Sequence, residues 1–499
     1  MEKRTFLAII LSIVIVIAWS VITSKFYPVE NKGVINQNTP LTTSAPIIAR
    51  PMVTQKISPS SLFKFSLAKQ EVIFTESEAA IQEVQFQEYQ NYKLSLQSAL
   101  LWGDELKFGK ARVSGSSVEF IYADQEKRIK KEFIFNPNYS IDLRIEIDNM
   151  SNLQLALNFP LILGDLKFEG KPAQQYQDVT VSSPEKIAHL NAHKETTIPE
   201  VKFLGLRDRY FCAIIEPTAG RYSAFIRKVN SNTFQVGLQP SDWIVLPGQT
   251  TERVFRIYLG PQDLKIVNSI NPDWTAVIHY GTFGLISELL LQLLRIIYQM
   301  VHSWGWAIVI LSIFIYFMLY PLTLKQMRSM KAMQALQPLI EELKRKHKDS
   351  PQRLNKEIME LYREHKVNPF GGCLPLVLQL PIFFALYQAI MRSIALKGAQ
   401  FLWIKDLSEP DRLFMLPQNL PLSEINILPI LMAIGMFVQQ KISLKAASPG
   451  AAEQQKMMLI LMPLLFGVIF YRMPAALVLY WFVNSTLMLI SQIKAGYAK

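Results

Sequence analysis

Residues 368–391, NPFGGCLPLVLQLPIFFALYQAIM, are apolar enough to be buried. They are also long enough to cross a bilayer, which takes about 20 apolar residues. As a plain anchor the stretch is poorly built. Pro369, Pro375 and Pro381 recur through it, Gly371 and Gly372 sit near its start, and Gln379 and Gln388 lie inside it. Proline removes a helix hydrogen bond and kinks the axis. Such breaks persist in lipid only where neighbouring helices or water satisfy the freed backbone groups. A glutamine at bilayer depth faces protein or a wet cavity. The stretch is therefore expected to line something. A packed helix whose amides bond its neighbours accounts for the same residues.

The rest of the chain sets that helix in context. Hydrophobic residues make up 50% of the 499, but they concentrate at residues 6–22 and from 283 onward. The pattern predicts a polytopic α-helical membrane protein carrying one large soluble domain. The net charge of +12 suits cytoplasmic loops rich in lysine and arginine better than it suits nucleic acid, and no DNA partner is expected. Cys212 and Cys373 fall in regions assigned to different compartments, so neither a disulfide framework nor a cysteine metal site is expected.

Lys3 and Arg4 precede an apolar run from Phe6 to Ile22 with no small-x-small site after it. This reads as an uncleaved signal anchor over 1–24 with its N-terminus inside. Residues 25–60, rich in Pro, Thr, Ser, Asn and Gln from residue 28 onward, read as a flexible linker. Residues 61–280 change to short alternating runs, such as SIDLRIEID at 140–148, separated by turn signals. These predict an all-β sandwich. His189 and His193 are spaced i, i+4 without the glutamate of a metalloprotease helix and are expected at the surface.

Residues 282–303 form an amphipathic helix. Glu288, Gln292, Arg295 and Gln299 make a polar stripe opposite Leu289, Leu290, Leu293, Leu294 and Ile297, as for a helix in the membrane interface. Five spans follow within 304–495, at 304–320 (closed by Pro321), 368–391, 425–441, 457–472 and 476–493. With the anchor they make six. This topology puts the β-domain outside and both termini and the 321–367 loop inside. The loop carries eleven basic side chains against six acidic ones, as an inside loop should.

Within that loop, 322–367 reads as a helical hairpin. Met327, Met330, Met333, Leu336, Ile340 and Leu343 recur at helical spacing, and Ser350-Pro351 opens a second helix. The methionines suit an adaptable binding surface, and they suit the hairpin seam equally well. The basic residues, Lys344, Arg345 and Lys346 among them, can meet lipid head groups, RNA or protein.

YPLTLKQMRSMKAMQALQP (320–338), LYREHKVNPFGGCLPLVLQLPIFFALYQAI (361–390) and ALVLYWFVNS (476–485) resemble the YidC/Oxa/Alb family of membrane protein insertases. The large outside domain behind an N-terminal anchor resembles the family's Gram-negative YidC form. The resemblance implies a five-helix core around a polar groove open to cytoplasm and lipid, in the cell inner membrane, with the β-domain periplasmic. It implies nascent membrane proteins as substrates, with the Sec translocon, the ribosome or signal-recognition machinery, and lipids as partners. It implies neither an enzyme nor a cofactor, and the sequence has no GxxxxGK[ST] phosphate loop. A transporter would need inverted repeats, and an intramembrane enzyme would need His, Asp or Glu in the spans; neither is present.

One departure stands out. Family members usually carry an arginine five residues before the proline of the YPLT-like motif, where this chain has Tyr316. The matching groove residues are Ser312, Tyr316, Gln379, Tyr480 and Trp481, with Arg472 or Arg392 as substitutes for the missing charge. The groove is expected to be polar and, at residue 316, uncharged.

Overall fold

The computed structural model describes residues 61–499 except 90, 104–105, 168–176, 191–193, 348–349, 366, 368–373, 416–423, 446–451 and 498–499. The expected anchor and linker lie outside the described residues, as do His193, Cys373 and the turn at 368–372.

Residues 62–261 are built from antiparallel strands. Strand Ser140–Asn149 follows its alternation. Ile141, Leu143, Ile145 and Ile147 are buried, while Asp142, Arg144, Glu146 and Asp148 are half-buried or exposed. It sits inside a nine-stranded sheet that runs from Ile187–Leu190 at one edge to Arg112–Ser114 at the other. Two four-stranded sheets share a core with it. Phe74 of one packs edge-on against Phe133 of the large sheet, with centroids 5.1 Å apart. Gly164, in the other, would bring a side chain to 3.1 Å from Leu206 and 3.3 Å from Leu96, so all three sheets converge there. At Gly205 a Cβ would come within 2.5 Å of Val277, which lies in a helical segment packed on the large sheet. That segment comprises α1 (Leu264–Ile270) and the turn bearing buried Trp274.

Lys131 is the unexpected member of this core. It is fully buried, and its ammonium donates to the Ala79 and Leu100 carbonyls at 2.7 Å each. Burial pushes its pKa down to about 7.

Eight further helices follow among the described residues: α2 (Gly284–Val301), α3 (Trp304–Ala335), α4 (Gln337–Lys346), α5 (Pro351–Glu364), α6 (Leu374–Arg392), α7 (Ile427–Lys445), α8 (Ala452–Phe470) and α9 (Ala475–Tyr497). Three of them contain segments long and apolar enough to cross a membrane, Gly284–Val301, Trp304–Ser329 and Ala475–Lys494. Ile427–Ile442 and Ile460–Phe470 are shorter apolar segments. On α2 the buried face is Ser287, Leu290, Leu291 and Leu294, and Leu285, Leu289, Ile296 and Met300 are exposed.

The expected stop at Pro321 is corrected: α3 runs through it for another fourteen residues, to Ala335. The proline removes one N–H and leaves the Phe317 carbonyl without its helical donor, and two residues on the Thr323 hydroxyl donates back to the Leu319 carbonyl at 3.2 Å. The first arm of the hairpin is therefore an extension of α3 plus α4, and α4 packs on α5. Pro375 falls in the first turn of α6, where a missing N–H costs nothing, and Pro381 lies inside the helix.

Candidate substrate groove and the junction beside it

One loop sets the direction of the helices. Gly305, in the first turn of α3, lies so close under Phe401 that a Cβ would overlap the ring. The first N–H groups of α9, from Ala475 and Ala476, donate to the Glu409 and Leu407 carbonyls at 2.8 and 2.9 Å. Those of Ile427 and Leu428 at the start of α7 donate to Asp411 Oδ2 at 2.8 and 2.9 Å. Orphan N–H groups of two helices are thus satisfied by a single loop. Helices α3, α7 and α9 all begin there, and α6 ends nearby.

From that end the expected groove residues fall at successive depths. Tyr480, about 8 Å along α9, is fully buried, and its hydroxyl has no hydrogen-bond partner among the described residues. The Gln379 amide approaches that hydroxyl. Trp481 packs among Phe383, Phe466 and Phe470, with centroids 5.2, 5.6 and 5.4 Å away. Ser312 is fully buried and donates back to the Ile308 carbonyl of its own helix at 2.7 Å. Farther along, the Tyr316 hydroxyl shares a 2.6 Å hydrogen bond with Ser491 Oγ of α9. The structure therefore brings Tyr316 to Ser491 and Gln379 to Tyr480.

The two substitute cations are elsewhere. Arg472 is exposed in the turn between α8 and α9. The Ser491 contact is sixteen residues into α9, about 24 Å from the helix start. Arg392, the last residue of α6, donates to the His279 carbonyl of the segment leading out of the β-domain. On the hairpin, Met327 and Lys344 are half-buried and Arg345 and Lys346 exposed. Met330 and Met333 lie on α3, and their side chains are outside the described set.

Sequence reasoning missed a second constellation, which joins the β-domain to the helices. Arg209 sits on the turn between strands Phe203–Arg207 and Phe211–Pro217. Its Nε donates to the Met391 carbonyl at 3.0 Å, one NH2 to the Ser408 carbonyl at 2.9 Å, and the other to Glu409 Oε1 at 3.2 Å. Lys397 caps the Tyr92 and Tyr210 rings at 5.2 and 5.4 Å. Beside it, buried Arg207 pairs with Asp178 and donates to the His279 carbonyl at 2.6 Å. Burial raises the Asp178 pKa, but hydrogen bonds from His279 and Arg207 outweigh it and hold the carboxyl down at about 2. His189 is exposed and its ring lies tilted against that of His279, with centroids 3.8 Å apart.

Residues 70–293 match the family model for the YidC periplasmic domain, and residues 296–497 match the model for the 60Kd inner membrane protein. The membrane protein insertase YidC of Pelobacter propionicus is 31% identical over 538 aligned positions, covering 98% of this chain and 97% of that one. The chain belongs to the YidC family. The YidC of Geotalea uraniireducens is 36% identical, covering 73% of this chain and 68% of its own. The crystal structure of an active YidC insertase with its first transmembrane domain resolved aligns at TM-score 0.43 and 16% identity, covering 89% of this chain and 94% of that one. In this YidC family member, Tyr316 of α3 is bonded to Ser491 of α9. Ser491 carried no signal of its own beyond being a hydroxyl in an apolar run. The Arg209 turn gave no signal in the sequence analysis.

Proposed function

We propose that this chain inserts nascent membrane proteins by sheltering their polar flanks along the facing sides of α3, α6 and α9. It acts as an insertase of the inner membrane, without enzymatic chemistry. The observation that carries the place is the Tyr316–Ser491 hydrogen bond, an uncharged polar pair between two apolar helices. Moving a polar flank across a dry bilayer centre costs several kcal/mol. Hydroxyls and amides at Tyr316, Ser491, Gln379 and Tyr480 offer exchange partners along the way, and burial of the substrate's own apolar helix supplies the drive. Ser312 and Trp481 line the path, and Arg472 stands at its outer mouth.

In this reading the chain spans the membrane six times, by the anchor, α3 and α6 to α9, with α2 in the interface and both termini cytoplasmic. The hairpin, through Met327, Met330, Met333, Lys344, Arg345 and Lys346, meets the ribosome or signal-recognition machinery. The Sec translocon is a partner for larger substrates. The test is photo-crosslinking to a stalled nascent chain from probes at 312, 316 and 379 in the full-length protein. Crosslinks from 316 and 379 are expected, and their absence from all three sites would move the path elsewhere. Insertion is expected to survive Tyr316→Arg; its complete loss would mean that the uncharged pair is specifically required.

A further inference from the structure

The loop at the start of α3 ends in a feature that its internal packing does not explain. Phe401 and Ile404 exchange backbone hydrogen bonds at 2.9 and 2.8 Å, which closes a two-residue turn over Leu402 and Trp403. Leu402 takes φ +53° in that turn, on the left-handed side where glycine or asparagine is usual. Its side chain is nonetheless 72% exposed. The turn is well fixed: Trp403 donates to Asp411 at 3.3 Å, and Leu407 N–H donates to the Ala399 carbonyl at 3.0 Å. A strained backbone that presents an apolar side chain outward, on a rigid support, points to contact with something.

What covers it is indicated by the neighbouring helix. The Phe401 ring packs edge-on against Trp306 at 5.5 Å, and Trp306 heads a line of exposed apolar residues down one side of α3, Ile310, Phe314 and Phe317. The spacing is i, i+4, i+8, i+11, a single helix face about 16 Å long. Leu402 is next in the chain to Phe401, whose ring packs on Trp306, so it stands beside that end of the face. A surface of this kind on a helix apolar enough to cross a bilayer faces lipid, and a tryptophan at its end suits the head-group level.

We propose that the Phe401–Ile404 turn is an outer-leaflet anchor, with Leu402 and Trp306 both inserted at the boundary between head groups and acyl chains. The loop that starts α3, α7 and α9 and receives Arg209 is thereby fixed in depth. The inference rests on α3 spanning the membrane.

The experiment uses the full chain carrying Cys373→Ser. Cys212 is buried and burial raises its thiol pKa, so it stays unlabelled. Single cysteines replace Leu402, Phe314 or exposed Lys186 of the β-domain, each labelled with an environment-sensitive fluorophore. The proteins are reconstituted in phosphatidylethanolamine–phosphatidylglycerol vesicles containing lipids spin-labelled near the head group or deep in the chain. The 402 probe should be quenched at least twofold more than the 186 probe, most by the shallow label, and the 314 probe most by the deep one. Quenching at 402 equal to that at 186, with 314 quenched, overturns the anchor alone. If 314 is also unquenched, the spanning of α3 fails and the anchor falls with it. Should Leu402→Cys fold poorly, hydrogen exchange over 399–408 in the Leu402→Asp chain gives a second reading. It should rise at least tenfold over the parent in vesicles and stay within threefold in detergent, and an equal effect in both media overturns the proposal.

Discussion

Replacing Arg209 with alanine should uncouple the β-domain from the helical core without unfolding either. The guanidinium side chain is 11% exposed and donates to three oxygens on two other segments, with Met391 Sδ at 3.5 Å besides. A hydrogen bond to a charged group contributes about 1.5–3 kcal/mol, and breaking a buried pair by removing one partner costs about 3–5 kcal/mol. The Glu409 contact counts least, because its carboxylate is partly exposed and also within reach of Arg412. Water reaching the two freed carbonyls lowers the total further, so about 3–4 kcal/mol is expected for local opening. At 1.4 kcal/mol per decade, this is roughly two to three orders of magnitude in the opening equilibrium. The reporters are amides that the same loop protects, those of Leu407, Ala475 and Ala476. Hydrogen exchange on the full chain in nanodiscs should show them exchanging that much faster, with strand Ser140–Asn149 unchanged. Arg209→Lys should recover less than half of the protection, because one ammonium cannot present three donors in a planar fork. A change under tenfold for alanine, or full rescue by lysine, would refute the reasoning.

Lys131 gives a pH test with a definite sign. Its folded pKa of about 7 lies below the ordinary 10.5, so the unfolded chain holds the extra proton between those values. The β-domain should therefore gain stability as pH rises from about 7 towards 10.5, and melting of the full chain across that window should show it. Lys131→Met should abolish that slope, and orphaning the Ala79 and Leu100 carbonyls costs about 2–6 kcal/mol, at roughly 1–3 kcal/mol each. For the groove, Tyr316→Phe and Ser491→Ala should each lower stability in detergent by about 0.5–1.5 kcal/mol. The double variant should cost no more than the larger single one, and additivity would show that the two hydroxyls act separately.

The parts legible in the sequence were those set by local periodicity. The alternation at 140–148 fixed which face of that strand is buried, and the apolar run in 304–320 marked the helix that became α3. Local rules also misled: a proline signal ended α3 at Tyr320, although the helix packs on α2 and α9 and passes through it. Residues whose roles depend on distant partners stayed silent. Tyr316 was recognisable as a substitution, but its partner is 175 residues away. Arg209 reaches Met391, Ser408 and Glu409 across 182 to 200 residues, a separation that no window of sequence can register. Arg392 and Arg472 read from the topology as lying near the outer ends of their helices, but their surroundings were not legible: the first donates to the His279 carbonyl and the second is exposed in the turn before α9.

The support that Asp411 gives from a distance bears on engineering. Loops are ordinarily where a tag or an extra domain can be inserted, and 399–412 has the length and exposed residues that invite one. Here an insertion would separate Asp411 from Ile427 and Leu428, and Leu407 and Glu409 from Ala475 and Ala476, so that the starts of two helices would lose their hydrogen-bond partners together. The turn at Gly115 is the better site. Its glycine has φ +60° and open space around it, and it joins the two strands at the edge of the large sheet, Arg112–Ser114 and Ser117–Ala123. A reporter placed there would leave the helix starts intact.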